Sequence, residues 1–320
     1  ELWQGVRENQ ESIYVHTGNT DRIVKIYRFL LNDRPELFWC TGEVHIYAYD
    51  TYSEVQPVYT YSEEEKLEKQ AEIDAAVTQC LSGIYTDASE YDRVKYIFEY
   101  LVNSIDYDME APDNQNIYSA LVLKRSVCAG YSRAAQYLLS KLGVECIYVT
   151  GEVPEQGAHA WNIVKCNEKY YYMDVTFADP VFLEAESGKE IPPSTIQYGY
   201  LCCTDAEILK NHTLDTDVSY PACTSMDLNY YMLNDMYYET YDSYTVLQKM
   251  NQCVYEGAES FTCKFAGDEV YNQAHDDMIQ NLIPQAAQNL VNYYGLSSVW
   301  YTYQEDPVLD VITVYWQYEE

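Results

Sequence analysis

The sequence is poor in basic residues, with 19 Lys and Arg against 51 Asp and Glu in 320 residues and a formal charge of −32. Because proteins hold nucleic acid through Lys and Arg that neutralise phosphates, this deficit argues against nucleic acid and against an anionic membrane as partners. Long apolar runs are missing too, and no stretch approaches the roughly 18 apolar residues that a membrane-spanning helix needs. We therefore expect no transmembrane segment in this chain.

The sequence also lacks metal-binding patterns. Its 10 cysteines include no CxxC pair, the neighbouring Cys202 and Cys203 lack zinc-ligand spacing, and the five histidines do not cluster with them. An initiator methionine is absent as well, since the chain begins at Glu1. We accordingly expect no metal and no cofactor, and we expect the chain to come from an exported precursor that is secreted or attached to the cell surface.

Apolar residues make up 48% of the chain and charged residues 22%, a composition typical of a globular protein. The 36 tyrosines against 7 phenylalanines favour β surfaces on which a ring packs while its hydroxyl reaches water. Helical and alternating patterns together predict an α+β fold in three segments. These are a small N-terminal α/β lobe over residues 1–61, a core over residues 62–214 and a small C-terminal α+β lobe over residues 215–320.

Helix start signals mark the beginning of the predicted core. Ser62 and Glu65 form a capping-box pattern ahead of a long helical stretch. Asp87 with Glu90 at the same spacing predicts the start of the next helix, which carries an apolar face. Both helices are interpreted as scaffold.

Cys128 is predicted to begin a further helix, with Ser126 as its cap. The unpaired N–H groups and the positive dipole end at such a position stabilise a thiolate, which is the nucleophilic form of cysteine. The small residues Ala129 and Gly130 follow directly and would let a substrate backbone approach. Other cysteines fall inside helix or strand patterns and are predicted to be buried apolar residues: Cys80, Cys146 and Cys263.

A predicted hairpin supplies the imidazole and the carboxylate that a nucleophilic cysteine needs. Its strands are predicted over residues 159–165 and 169–176, with a two-residue loop between Cys166 and Lys169. In that register Trp161 faces Asp174, and His159 lies two residues along on the same side. His159 and Asp174 then share one face of the sheet, whereas a loop one residue longer or shorter would separate them.

Three sequence blocks resemble those of the bacterial transglutaminase-like superfamily in order and spacing: residues 127–132 (VCAGYS), 157–162 (GAHAWN) and 172–176 (YMDVT). The resemblance implies a papain-like α+β core with Cys128 as nucleophile, His159 as general base and acid, and Asp174 as the residue that orients His159. It also implies a bacterial, exported protein, because many relatives are cell-surface proteins. It does not imply transglutaminase activity, since the superfamily includes peptidases, amidases and proteins with no demonstrated reaction.

The chemistry implied is cysteine-dependent acyl transfer at amide bonds of a protein or peptide, with cell-wall and surface proteins among the candidate substrates. Water as the acceptor gives hydrolysis, which we favour over crosslinking to an amine. A third alternative is a surface binding or adhesion module on the same fold, without turnover.

Four further residues are assigned around the predicted triad. Tyr118 is a candidate second donor to the oxyanion, beside the N–H of Cys128, and Trp161 is expected to shield the ion pair or to line the substrate groove. Asn162 and Asp179 compete with Asp174 as the residue that orients the imidazole. The register argument ranks both below Asp174.

Overall fold

Two units divide the chain in the computed structural model, which describes residues 1–179 and 196–319. One unit is Glu1–Leu201 with His212–Cys223, and the other is Cys202–Asn211 with Thr224–Glu320. Helices and strands are mixed along both, so the α+β class expected from the sequence is confirmed. The division into three sequence segments stays a prediction. Within the described part of the chain, no helix combines the length and the apolar character needed to cross a membrane.

A three-stranded antiparallel sheet with two helices forms the start of the first unit. Its elements are α1 (Leu2–Arg7), β1 (Ile13–Val15), α2 (Thr20–Asp33), β2 (Cys40–Ala48) and β3 (Ser53–Tyr59), and the strand order is β1-β3-β2. Helix α2 begins where the Asn19 side chain accepts a hydrogen bond from the N–H of Arg22. Its buried face, Ile23, Tyr27 and Leu31, packs on β2.

Two long helices follow, α3 (Glu63–Leu81) and α4 (Glu90–Ser104). The predicted capping box of Ser62 and Glu65 is present at the start of α3. The predicted start of α4 at Asp87 is wrong, because Ser89 is the N-cap and forms the capping box with Asp92. The same residue spacing occurs twice within six residues, and the hydroxyl cap is the one that the chain uses.

A five-stranded sheet carries the predicted hairpin. After the short parallel pair β4 (Asp106–Tyr107) and β5 (Arg125–Ser126), the elements are α5 (Cys128–Lys141), β6 (Cys146–Val153), β7 (Gly157–Cys166), β8 (Lys169–Met173), α6 (Val175–Ala178), β9 (Leu201–Cys203) and β10 (Thr213–Leu214). The strand order is β10-β6-β7-β8-β9, and α5 packs against β6 and β7. Helix α5 and the middle of this sheet therefore meet where the candidate residues lie.

The predicted hairpin register is confirmed between β7 and β8. Cys166 pairs with Lys169, and the ladder continues to the pair Asn162 and Met173. Strand β8 ends at Met173, however, and not at Thr176 as predicted. The apolar run through Thr176 belongs instead to α6, a short helix for which Asp174 is the N-cap.

The second unit is built on a four-stranded sheet. Its elements are α7 (Asp205–Ile208), α8 (Tyr230–Leu233), β11 (Tyr237–Tyr238), α9 (Ser243–Tyr255), β12 (Ser260–Phe265), α10 (Asp268–Asp277), α11 (Ile283–Tyr294), β13 (Ser298–Asp306) and β14 (Val311–Glu319), and the strand order is β11-β12-β14-β13. A π-helical segment, Met278–Leu282, joins α10 to α11.

Candidate active site

Cys128 is the first residue of α5, as predicted. The predicted cap is wrong, because the Ser126 hydroxyl donates to the carbonyl oxygen of Asn114 at 2.6 Å, and Val127 is the N-cap without a side-chain hydrogen bond. The first-turn N–H groups of a helix have no acceptor within the helix. The N–H of Val127 donates to the carbonyl oxygen of Asn114, and that of Gly130 donates to the carbonyl oxygen of Val127. Among the described residues, the N–H groups of Cys128 and Ala129 are therefore the ones left for an anion at the positive end of a 14-residue helix.

Gly130 serves the packing of the preceding loop and not, as expected, the approach of a substrate backbone. A Cβ at this position would lie 1.9 Å from Oγ of Ser126 and 2.8 Å from the carbonyl oxygen of Asn114. Only a residue without a side chain lets the loop that contains Asn114 rest against the first turn of α5. Gly130 thus allows the close packing between this loop and the helix start at which Cys128 lies.

His159 and Asp174 meet behind the nucleophile. Nε2 of His159 lies 2.7 Å from Oδ2 of Asp174, and both residues are buried. The other carboxylate oxygen, Oδ1, accepts a hydrogen bond from the backbone N–H of Phe177 at 3.0 Å. The carboxylate is therefore held by the first turn of α6 as well as by the imidazole.

The electrostatics favour a charged imidazole and a charged carboxylate. Burial alone would lower the pKa of His159, but the Asp174 charge, its hydrogen bond and the neighbouring Cys128 thiol raise it well above its ordinary value. Burial would raise the pKa of Asp174, but the charge of His159 and hydrogen bonds from His159 and His212 hold it far below its usual range. An ionised carboxylate only accepts hydrogen bonds, so Nε2 of His159 carries a proton and Nδ1 is left for the thiol.

A second imidazole, that of His212, lies on the same carboxylate, and no sequence pattern points to it. Its Nε2 lies 3.1 Å from Oδ2 of Asp174, and its side chain is fully buried. His212 immediately precedes β10, whose residue Thr213 pairs with Glu152 across the sheet. No local pattern signals this contact, because it depends on pairing between strands 61 residues apart.

Trp161 lies beneath the imidazole and is fully buried. Its ring stacks on His159 with centroids 5.6 Å apart and an interplanar angle of 19°. Of the two roles expected for Trp161, its burial fits shielding of the ion pair and not the lining of a groove.

Tyr118 lies apart from these residues. Its hydroxyl donates to a carboxylate oxygen of Glu72 at 2.7 Å, and Tyr118 does not line the cleft at Cys128. Of the competing orienting residues, Asn162 donates to the carbonyl oxygen of Ser132, and Asp179 accepts from the Tyr131 hydroxyl. The carboxylate that reaches His159 is that of Asp174.

An open cleft of about 640 Å³ gives access to the site, and both Cys128 and His159 line it. Gln115 is an exposed residue on the rim of this cleft, and its backbone carbonyl accepts a 2.6 Å hydrogen bond from Arg133. The half-buried Cys128 thus faces a space large enough for a segment of peptide.

One set of donor atoms near the cleft has the composition of a metal site. The ligand atoms of His159, Asp174 and His212 all lie within 4.8 Å of one another. Their shared contact, Oδ2 of Asp174, already receives both imidazoles, so hydrogen bonds alone account for the arrangement.

Comparison with known proteins agrees with this site. Residues 77–175 match the model of the transglutaminase-like superfamily, and this segment contains all three candidate residues. Members of the superfamily are typically cysteine-dependent enzymes. The expected resemblance is thereby confirmed for this part of the chain.

The solved structures that match the chain share little sequence with it and have low TM-scores. One, described as a TGase, is 18% identical with a TM-score of 0.31, over 52% of this chain and 50% of that protein. Another, from Cytophaga hutchinsonii and provisionally described as a cysteine protease, is 12% identical with a TM-score of 0.29, over 43% of this chain and 63% of that protein. The chain therefore spans less than two thirds of the length of either. No curated protein matches the sequence.

Proposed function

We propose that this protein is a cysteine hydrolase that cleaves amide bonds of proteins or peptides through Cys128, His159 and Asp174. The observation that carries the proposal is the arrangement of one thiol and one imidazole on an open cleft, with a buried carboxylate 2.7 Å behind the imidazole. The thiol, the imidazole and the carboxylate provide the nucleophile, the general base and the orienting group that acyl transfer requires.

The raised pKa of His159 favours a resting pair in which Nδ1 already holds the thiol proton, and in the first half of the reaction the Cys128 thiolate attacks the amide carbon. The carbonyl oxygen becomes an oxyanion that accepts from the N–H groups at the start of α5. Gln115 replaces Tyr118 as the candidate second donor, because its side chain is exposed on the same cleft. The imidazolium then gives its proton to the leaving nitrogen, the C–N bond breaks and a thioester remains on Cys128.

In the second half, the same imidazole takes a proton from water, whose oxygen attacks the thioester carbon. The C–S bond breaks, the acid leaves, and the Cys128 thiolate and the protonated imidazole of His159 are restored as a pair. Asp174 stays ionised throughout, because its surroundings favour the charged form. The openness of the cleft to water favours hydrolysis, whereas an amine in the place of water would produce a crosslink.

Incubation with a peptide library of mixed sequence tests the proposal. Mass spectrometry should detect new termini or deamidated side chains with the native protein and none with Cys128→Ala. A labelled primary amine in the same incubation reports crosslinking, since the label then appears on glutamine. Retention of peptides with no chemical change, equal in the native protein and Cys128→Ala, would refute the enzyme proposal and favour a binding module.

A further inference from the structure

Oδ2 of Asp174 lies within hydrogen-bonding distance of two imidazoles, His159 at 2.7 Å and His212 at 3.1 Å. The terminal torsion of a carboxylate is broad, so a second donor on Oδ2 narrows the orientations open to this buried anion. The pair of imidazoles on Oδ2, together with the N–H of Phe177 on Oδ1, defines one orientation of the carboxylate. Because Asp174 is ionised and accepts only, Nε2 of His212 is a donor.

His212 also packs on the side chains that surround the imidazole of His159. Its ring makes edge contacts with Trp161, at a centroid distance of 4.9 Å, and with Phe177, at 4.8 Å. It lies 5.4 Å from the ring of His159 itself. One side chain therefore touches the carboxylate, the stacked indole and the imidazole together.

The backbone of His212 is placed by the sheet and not by a loose loop. Thr213 and Leu214 pair with Glu152 and Gly151, and Gly151 pairs with His159 on the next strand. A Cβ on Gly151 would lie 1.9 Å from the carbonyl oxygen of Thr213, so the edge strand approaches as closely as a glycine allows. This rigid connection is what a residue that holds a catalytic carboxylate requires.

From these contacts we propose that His212 is a positioning residue for the Cys128–His159 pair. It donates from Nε2 to Oδ2 of Asp174 and so keeps the carboxylate, and through it the imidazole, in line with the thiol. His212 does not touch the substrate in this scheme. The inference depends on the proposed function, because positioning matters only if Cys128 and His159 react.

Two substitutions separate the hydrogen bond from the packing. His212→Gln keeps a donor at about the reach of Nε2 and loses the ring, whereas His212→Phe keeps the ring and loses the donor. The rate of Cys128 alkylation by iodoacetamide at pH 7.5 is the first readout, followed by mass spectrometry of the Cys128 peptide. We expect His212→Phe to be about 10- to 100-fold slower than the native protein and His212→Gln to lie within about 3-fold of it, because small misplacements of reacting groups cost on the order of 100-fold.

Peptide hydrolysis provides a second readout, in which kcat should fall in His212→Phe while KM stays unchanged. A native rate in His212→Phe, or equal slowing in both variants, would overturn the proposal and leave His212 a packing residue. If His212→Phe does not fold, His212→Asn replaces it, because its amide is too short to reach Oδ2. A native rate in His212→Asn would likewise overturn the proposal.

Nuclear magnetic resonance of the imidazole nitrogens distinguishes failure of this inference from failure of the proposed function. The Nε2 proton of His159 should be protected from exchange in the native protein and in His212→Gln, and it should exchange rapidly in the variant that lacks the donor. If native Cys128 proves unreactive, the proposed function fails, and this proton still reports whether His212 holds Asp174. Equal protection in all variants would refute the positioning role.

Discussion

Oδ2 of Asp174 lies 2.7 Å from Nε2 of His159. Asp174 is the N-cap of the short helix α6 and directly follows the last residue of strand β8. This location gives the carboxylate two kinds of support, since one oxygen accepts the N–H of Phe177 and the other accepts the imidazole. A strand residue would have had only its rotamer to hold it. The geometry of the candidate triad therefore depends on where the strand stops.

Replacement of Asp174 by Asn tests the electrostatic role of the carboxylate. The Asp174 charge raises the pKa of His159, and burial lowers it, so the variant should show a lower pKa for His159. The limb on which the rate of Cys128 alkylation rises with pH should shift to higher pH, because a less basic His159 leaves more of the thiol protonated. The rate at pH 7.5 should fall by about 10-fold or more, because each pKa unit is a factor of ten. Asp179→Asn is the matched control, since Asp179 is also a buried carboxylate but contacts Tyr131. An unshifted limb in Asp174→Asn would contradict the assignment.

The shifted pKa values of Asp174 and His159 predict how the stability of the protein depends on pH. Asp174 has a lowered pKa in the folded protein, so its contribution is present above the unfolded value of about 3.9 and is lost as the pH falls. His159 has a raised pKa, so its contribution is complete below about 6.5 and is lost as the pH rises through the folded value. Urea unfolding from pH 3 to pH 10 should show a stability difference between native protein and Asp174→Asn that is largest between about pH 4 and pH 6.5. A difference that is constant with pH would show that the two groups are not coupled.

Trp161 should contribute to stability through its ring and not through its indole N–H. Its Nε1 is buried without a hydrogen-bond partner among the described residues, and its ring stacks on His159. We expect Trp161→Ala to lower the free energy of unfolding by about 3–5 kcal/mol and Trp161→Phe by much less. Chemical denaturation measures both. Equal losses in the two variants would imply a polar partner for the indole that the structure does not contain.

Gly151→Ala should disturb the site from a distance. The added Cβ would lie 1.9 Å from the carbonyl oxygen of Thr213 and 2.7 Å from the Trp161 ring, so the edge strand β10, which directly follows His212, must shift. Overpacking of this kind costs about 1–3 kcal/mol, and we expect slower alkylation of Cys128 as well. Gly143→Ala is the control, because a Cβ there meets nothing within 4 Å and only the positive φ of 74° is strained. Equal alkylation rates in the two variants would contradict the connection.

Local patterns predicted the part of the site that local structure builds. The start of a helix at Cys128 and the register of the β7–β8 hairpin follow from spacing along a short stretch of chain, and both are present. The end of β8 at Met173 was missed because the apolar residues after Asp174 suit a buried strand and a buried helix turn equally well.

Contacts between distant segments were outside the reach of the sequence. His212 contacts Asp174 only because a two-residue edge strand pairs with β6, and Tyr118 points at Glu72 on another helix. Neither contact leaves a periodic signal, since each is set by tertiary packing. The requirement for glycine at position 130 is also set by tertiary packing, because the loop that contains Asn114 packs against the start of α5.

Site-resolved alkylation at neutral pH measures directly whether Cys128 is the activated thiol of this protein. Burial raises the pKa of Cys40 to about 12, of Cys80 to about 11 and of Cys166 to about 12, which keeps those thiols protonated and slow. With limiting iodoacetamide, the Cys128 peptide should be modified at least about 10-fold faster than any other cysteine peptide, because Cys128 has an imidazole partner and lies at the start of a helix. Modification of Cys128 at the rate of the other nine cysteines would contradict the account.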